Sequence, residues 1–537
     1  MGVVTADASA SAATALREPW LPQPWRSALV LALFATLLAT VGPRHEPWFD
    51  EAQAWLIGRD TTLWELLAHR VRYEGTPGLW HAILWLASHA GLPYAYLWLI
   101  SSVLACLGAW IILTRAPFPY WLRVGIVFSY FLAYQYAIVA RSYALDLVLI
   151  PLIAVNFADR LRRPVVYGLL LGLTANANVY SFLFAGILLA EFLLAALREG
   201  REQAWRSALR SWQWQFWRWP RVQLAGIAVY AACAAAAVLQ AWPTSDANYL
   251  AMVYATSARG TQMFVEAFVN RLDIWSSARP SEWSMRAGVV ITTVLLAPSV
   301  VLFRQARIAL LAAAIFVSLV GFAGMKYASA WHAGILYLCW IFALWIGWSA
   351  LSELSAARRR VTVASIATIV FVNVYYTATT SLRDVREPYS AAPAAVQVLT
   401  TGDAHIAAVG FKTFAVQPWF TANAFRNYHG GAAGEAYYTW KRGEDFLPYV
   451  AYDQWRRTTQ DARYNALLLS THEVEPEDRP RLLAAARGAG YCGPTELPGG
   501  LIWKSYIIES EELLVFWRCP DGLAQARTEQ KTAPTAR

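Results

Sequence analysis

Two adjacent carboxylates, Asp50 and Glu51, stand in the stretch Pro47-Trp48-Phe49-Asp50-Glu51-Ala52, just after the first apolar run of the chain. A neighbouring carboxylate raises the cost of ionising either group, and partial burial at a membrane surface raises it further. One of the two is therefore a candidate general base. Asp50 with Gln53 also fits the capping box of a helix over 51–58, a role that involves no chemistry. Glu74, in Glu74-Gly75-Thr76-Pro77-Gly78, closes the same loop and offers a third carboxylate, with Pro77 suited to the first turn of the helix that follows.

Cations gather at matching places. Arg141 opens Arg141-Ser142-Tyr143-Ala144-Leu145 at the end of an apolar run, where its planar guanidinium could grip a phosphate bidentately and Tyr143 could add a hydroxyl. The plain alternative is an arginine snorkelling into headgroups. Lys326 and His332 bracket a tight turn, Lys326 to Gly334, on the same face. Carboxylates on one side of a reacting carbon and cations on the other are what an attacking hydroxyl and a departing phosphate require.

These residues need elements to hold them, and the composition says which. The 537 residues are 57% hydrophobic and only 15% charged, with 27 Trp, a balance that marks a polytopic α-helical membrane protein. Apolar runs fall at about 27–42, 78–90, 95–114, 121–138, 143–158, 164–175, 178–197, 222–241, 286–303, 307–324, 333–350 and 361–379. Arg160 to Arg163, residues 198–221, Arg304 to Arg307 and Arg358 to Arg360 read as cytoplasmic. Loops 44–77 and 243–285 then lie outside, together with 381–537.

Six runs separate the outside loop at 44–77 from the inside loop at 198–221, and an odd number of crossings is required. Runs 78–90, interrupted by His81, and 164–175 are both short for a span; only leaving out the first keeps Arg160 to Arg163 inside, so it is expected not to cross, which leaves about 11 transmembrane helices. Residues 1–26 read as a cytoplasmic tail. The loop at 44–77 is expected to hold two surface helices, 51–58 and 63–72, the second with Thr62 and Glu65 as its capping box. Residues 198–221, rich in Arg and Trp, read as a segment lying on membrane lipids.

The last 157 residues change character. Short strands are predicted around Ala407–Phe411, Ala466–Leu469, Leu501–Trp503 and Leu513–Trp517, with a helix near Arg481–Arg487, so 381–537 is expected to be a small extracytoplasmic α/β domain. Cys106, Cys233 and Cys339 sit in apolar runs, whereas Cys492 and Cys519 could pair if their domain is outside.

Several classes find no support. The net charge of +9 is spread over loops between spans rather than over a basic domain with base-stacking aromatics, so nucleic acid is not a partner. No phosphate-binding glycine loop stands between a strand and a helix, and no zinc motif occurs. A carboxylate-rich outside loop can hold a hard divalent cation, but its ligand set cannot be read from sequence.

The motif around Asp50, the Pro-containing start at Glu74 to Pro77, Ala140-Arg141-Ser142-Tyr143-Ala144-Leu145, and a late span opening with His332-Ala333-Gly334 together resemble the GT-C glycosyltransferases. The likeness covers about 27–380 and is strongest to bacterial members related to protein O-mannosyltransferases and the lipid A aminoarabinose transferase. Thr76 stands where many relatives carry His or Lys, and Trp331 where close relatives carry a second basic residue.

The resemblance implies a polyprenyl-phosphate-linked sugar as donor, a lipid or an envelope glycan or protein as acceptor, and inverting transfer on the outer face of the bacterial cytoplasmic membrane. It makes Asp50 the base, Glu51 its helper, and Arg141 with His332 or Lys326 the phosphate clamp. The competing readings are a transporter or scramblase for lipid-linked oligosaccharide and an envelope scaffold. A transporter calls for polar residues at mid-bilayer depth, and Asp146 is the main candidate for one.

Overall fold

The structure, a computed structural model, describes residues 23–211, 221–247, 257–270, 282–442 and 451–520. The N-terminal tail up to residue 22, Trp212 to Trp219 of the basic segment, and Tyr249, Tyr254, Arg271, Asp273, Trp275 and Arg279 of the second outside loop lie outside these residues.

Among the described residues, seven helices are long and apolar enough to cross a membrane, and three shorter apolar helices lie beside them. This is a multi-pass α-helical membrane protein. The elements that position the site are α1 (Gln23–Val41), α2 (Phe49–Asp60), α3 (Leu79–His89), α4 (Asp146–Asn156), α5 (Ser257–Phe268), α6 (Ala333–Gly347) and α7 (Ala356–Asp384). Run 78–90 forms α3, a helix of 11 residues.

The span containing α6 is apolar on every side, and such a helix must be surrounded by others. It is 83% buried over its most apolar stretch, against 17% for Gln223–Ala241, so it forms the centre of the bundle.

The expectation of one continuous span over 121–138 is corrected. Helix stops at Val127, a wider turn covers Phe131–Gln135, and the chain continues irregularly to Arg141. Irregular backbone at membrane depth survives only when protein surrounds it and its polar groups find partners. Here Tyr130, Phe131, Tyr134 and Tyr136 are all buried, and the N–H groups of Leu132 and Tyr136 donate to Ser129 and Phe131 carbonyls. Hydropathy registers only the apolarity of this stretch; these four bulky rings are needed inside the bundle. Gly334, at the start of α6, makes room for them, since a Cβ there would lie 2.4 Å from the Tyr136 hydroxyl. That hydroxyl donates to the Trp331 carbonyl at 2.6 Å.

After α7 the chain builds a mixed sheet from β1 (Ile406–Val409), β2 (Ala466–Ser470), β3 (Tyr491–Leu497) and β6 (Leu513–Arg518), in the order β1-β2-β6-β3. β1 and β2 are parallel, and β6 is antiparallel to both its neighbours. A hairpin of β4 (Gly500–Trp503) and β5 (Tyr506–Ser510) stands apart, its turn formed by Lys504 and Ser505, both with positive φ. The strands around 407, 467, 502 and 515 and the helix at Arg479–Gly488 agree with the sequence reading. β3 and β5 were not anticipated: Gly493 and Pro494 interrupt the pattern of β3, and only part of β5 is apolar.

Cys492 and Cys519 form a disulfide that ties β3 to the chain after β6. Alkylated protein is expected to migrate faster before reduction than after it, and Cys492→Ser with Cys519→Ser to lose that difference. For a loop of this length the bond contributes about 3 kcal/mol.

Candidate active site

Asp50 lies in the first turn of α2, but it is not the cap. Trp48 is the N-cap residue, and Glu51 reaches back to accept its N–H at 3.3 Å. The capping box expected of Asp50 and Gln53 is therefore not formed. Gln53 instead donates to Glu74 at 2.9 Å and exchanges two bonds with the backbone of Tyr438, at 2.6 and 2.9 Å. Thr62 does cap its turn, accepting from Glu65 N–H at 3.2 Å. The helix expected over 63–72 is present: helical backbone runs without a gap from Leu63 to Glu74, with a wider turn over Leu66–Arg70.

With its capping role gone, the Asp50 carboxylate is turned to Arg141, with which it forms an ion pair. Asp50 is 28% exposed and Arg141 22% at their side chains, so both remain open to a ligand. Arg141 leaves the irregular stretch in extended conformation, with its guanidinium 5.7 Å from the centre of the Trp48 ring. Trp48 in turn packs edge-on against Trp331. The indole at 331, where a second base was expected, thus supports the floor under Arg141.

Glu51 is only 1% exposed, and both its oxygens are engaged. One accepts the N–H of Ala140 at 2.6 Å, and the other accepts from Trp48 N–H and His45 Nε2, the latter at 3.1 Å. Both its oxygens thus face protein partners. His45 passes on to Asp384, at the end of α7, through Nδ1 at 3.1 Å. Burial works against the His45 cation, but Asp384 and Glu51 outweigh it and raise its pKa to about 10.

Glu74 is half-buried beside Asp50 and Arg141. Burial pushes its pKa up to about 7 against the hydrogen bond from Gln53; Asp50 pushes the same way and Arg141 opposes. Tyr143 is buried and stacks on Tyr136, with the His332 ring edge-on at 5.6 Å. His332 accepts the Ser329 N–H at Nδ1, at 2.7 Å, which places its own proton on Nε2. Tyr180 and Tyr327 complete an aromatic cage around it.

Lys326 is not brought into this cluster. It ends the helix Ala309–Met325, and its amine makes no hydrogen bond or ion pair with a described residue. The next residue, Tyr327, is the one that approaches Asp50 and Arg141. The C-terminal region closes the other side, with Phe411 packed edge-on against Phe49 at 4.8 Å and Trp440 at 6.4 Å. A cavity of about 320 Å³ between Leu399, Ile406, Asn423 and Arg426 involves none of these residues.

Two solved structures resemble the chain as a whole. ArnT from Cupriavidus metallidurans, in the apo state, superposes with a TM-score of 0.53 and 12% identity over 92% of this chain and 98% of its own. The chain has the GT-C fold. The arabinofuranosyltransferase AftD from Mycobacteria gives a TM-score of 0.46 and 14% identity over 93% of this chain and 40% of its own, too loose a likeness to argue from. No family model and no curated protein matches the sequence.

Within this GT-C fold, no group of three or more His, Cys, Asp and Glu side chains among the described residues could hold a metal ion. Asp146 on α4 is buried and accepts at Oδ2 from Asn178 and Ser181, each at 2.8 Å, which ties neighbouring helices together.

Sequence reasoning missed His45, Asp384, Gln53 and Tyr327. The signal for the first two was present but masked, because each sits at the outer end of an apolar run among other charged residues, Arg44 and Glu46 beside His45 and Arg383 beside Asp384.

Proposed function

We propose that this protein is a membrane glycosyltransferase that moves a sugar from a polyprenyl-phosphate donor to an acceptor hydroxyl on the outer face of the bacterial cytoplasmic membrane, with inversion. The observation that carries this reading is the pairing of Asp50 with Arg141, both partly open, at the end of the bundle covered by the C-terminal region. That region carries the Cys492–Cys519 disulfide, and disulfides persist in oxidising compartments, which supports an outward-facing site.

The donor phosphate competes with Asp50 for the Arg141 guanidinium and takes it bidentately. Asp50 is thereby released to accept the acceptor's proton. As the hydroxyl oxygen bonds to the anomeric carbon, the carbon–oxygen bond to phosphate breaks, and its electron pair stays on the phosphate held by Arg141. His332 Nε2–H and the Tyr143 hydroxyl are the further donors for that charge. A single in-line displacement inverts the centre.

Glu74 is the rival base, favoured by a pKa of about 7 and its place beside Asp50. If Glu74 were the base, the rate would rise as pH climbs through about 7, because only the ionised carboxylate accepts a proton, and Glu74→Gln would abolish both transfer and that rise. Under the Asp50 reading, Glu74→Gln retains measurable transfer with the same product stereochemistry. Transfer of labelled sugar from a polyprenyl-phosphate donor in purified membranes, followed across pH, separates the two. The transporter reading has less to rest on, since its main mid-bilayer candidate, Asp146, is buried and holds Asn178 and Ser181 through Oδ2.

A further inference from the structure

We propose that His45, bridging Glu51 and Asp384, is a positioning residue for the Asp50–Arg141 pair. The bonds radiate from Glu51. Its Oε1 accepts from Ala140, the residue before Arg141, and its Oε2 accepts from Trp48, whose ring underlies the Arg141 guanidinium. Asp50 precedes Glu51 in the same helical turn. One carboxylate thus fixes the base, the arginine's backbone and the arginine's floor.

A carboxylate with both oxygens inside protein needs charge-assisted partners to stay in one geometry. His45 supplies one, 3.1 Å from Glu51 Oε2, and is itself held 3.1 Å from Asp384 Oδ2. Both ring nitrogens face carboxylate oxygens, so the imidazole donates in both directions. The Tyr389 ring packs edge-on against it at 4.5 Å, and Glu46 alongside is turned to the Ser390 N–H.

Asp384 is the last residue of α7, and His45 follows directly on the outer end of the first span, Pro24–Arg44. The first and last spans of the bundle are therefore tied to the turn that carries Asp50, and through Ala140 to the chain carrying Arg141. His45 touches neither member of the pair; it acts through Glu51.

This inference rests on the reading of Arg141 as the phosphate ligand only for its functional readout. With the full chain in nanodiscs and undecaprenyl phosphate as probe, His45→Ala and Asp384→Ala are expected to weaken binding about tenfold, the loss of one charge-assisted hydrogen bond. Asp384→Asn, which still accepts from Nδ1, should recover most of the loss. In an Arg141→Ala background His45→Ala should weaken binding no further, which a general loss of folding would not reproduce.

If Arg141→Ala weakens binding and the His45 and Asp384 variants do not, the positioning role is overturned while the phosphate assignment stands. If Arg141→Ala has no effect, the phosphate assignment fails. Positioning is then decided by the structure of His45→Asn in the same nanodiscs: an Asp50–Arg141 pair left in place overturns it, and a displaced Arg141 upholds it.

Discussion

Asp50→Asn is expected to lower sugar transfer by about 10²- to 10⁴-fold, the usual contribution of a positioned general base. The same change should hardly alter folding. Asp50 is 28% exposed, and a partly exposed ion pair is worth about 0–1 kcal/mol, with the helix cap supplied by Glu51 and not by Asp50. Glu51→Gln is expected to show the reverse balance, because it disturbs a buried network whose disruption costs about 3–5 kcal/mol. Transfer assays alongside thermal unfolding of both variants check the contrast. Full activity in Asp50→Asn would remove Asp50 as the base, and a large loss of stability there would return it to a structural role.

Arg141→Lys keeps a positive charge but loses the fork that can hold two phosphate oxygens at once. One or two charge-assisted hydrogen bonds are forfeited, so donor KM is expected to rise by about 10- to 100-fold. Acceptor KM should stay close to its original value, since the guanidinium faces the phosphate in the proposed geometry. Steady-state kinetics with each substrate varied in turn make the distinction. If the lysine variant leaves donor KM unchanged, Arg141 is better read as a residue anchored among headgroups with Asp50 as a chance partner. The ion pair also links the two results: Arg141→Lys should weaken the hold on Asp50, so Asp50→Asn added to it should cost less than the product of the two single effects.

Much of the architecture was legible from residue order alone. The apolar runs located most of the long helices but not Ser257–Phe268, which lies in the stretch 243–285 read as an outside loop, and short apolar runs between turn residues located four of the six strands of the C-terminal region. The stretch 121–138 was not legible, because hydropathy cannot distinguish a lipid-facing helix from an irregular aromatic segment packed inside the bundle. The wider turn over Leu66–Arg70 was likewise invisible in a pattern that kept one apolar side.

The sequence by itself determined that this chain spans a membrane, that its ionisable residues collect at span ends, and that Asp50, Glu51, Glu74, Arg141 and His332 were the side chains to watch. Only the tertiary structure decided what each one touches. It separated two neighbouring carboxylates into one facing Arg141 and one enclosed by Ala140, Trp48 and His45. It put Tyr327, not Lys326, beside the pair. The physical reason is distance along the chain: Asp50 and Arg141 are 91 residues apart, and His45 and Asp384 are 339 apart. Local periodicity carries the hydrophobic effect that forms helices, but a hydrogen bond between remote side chains exists only once those helices have packed.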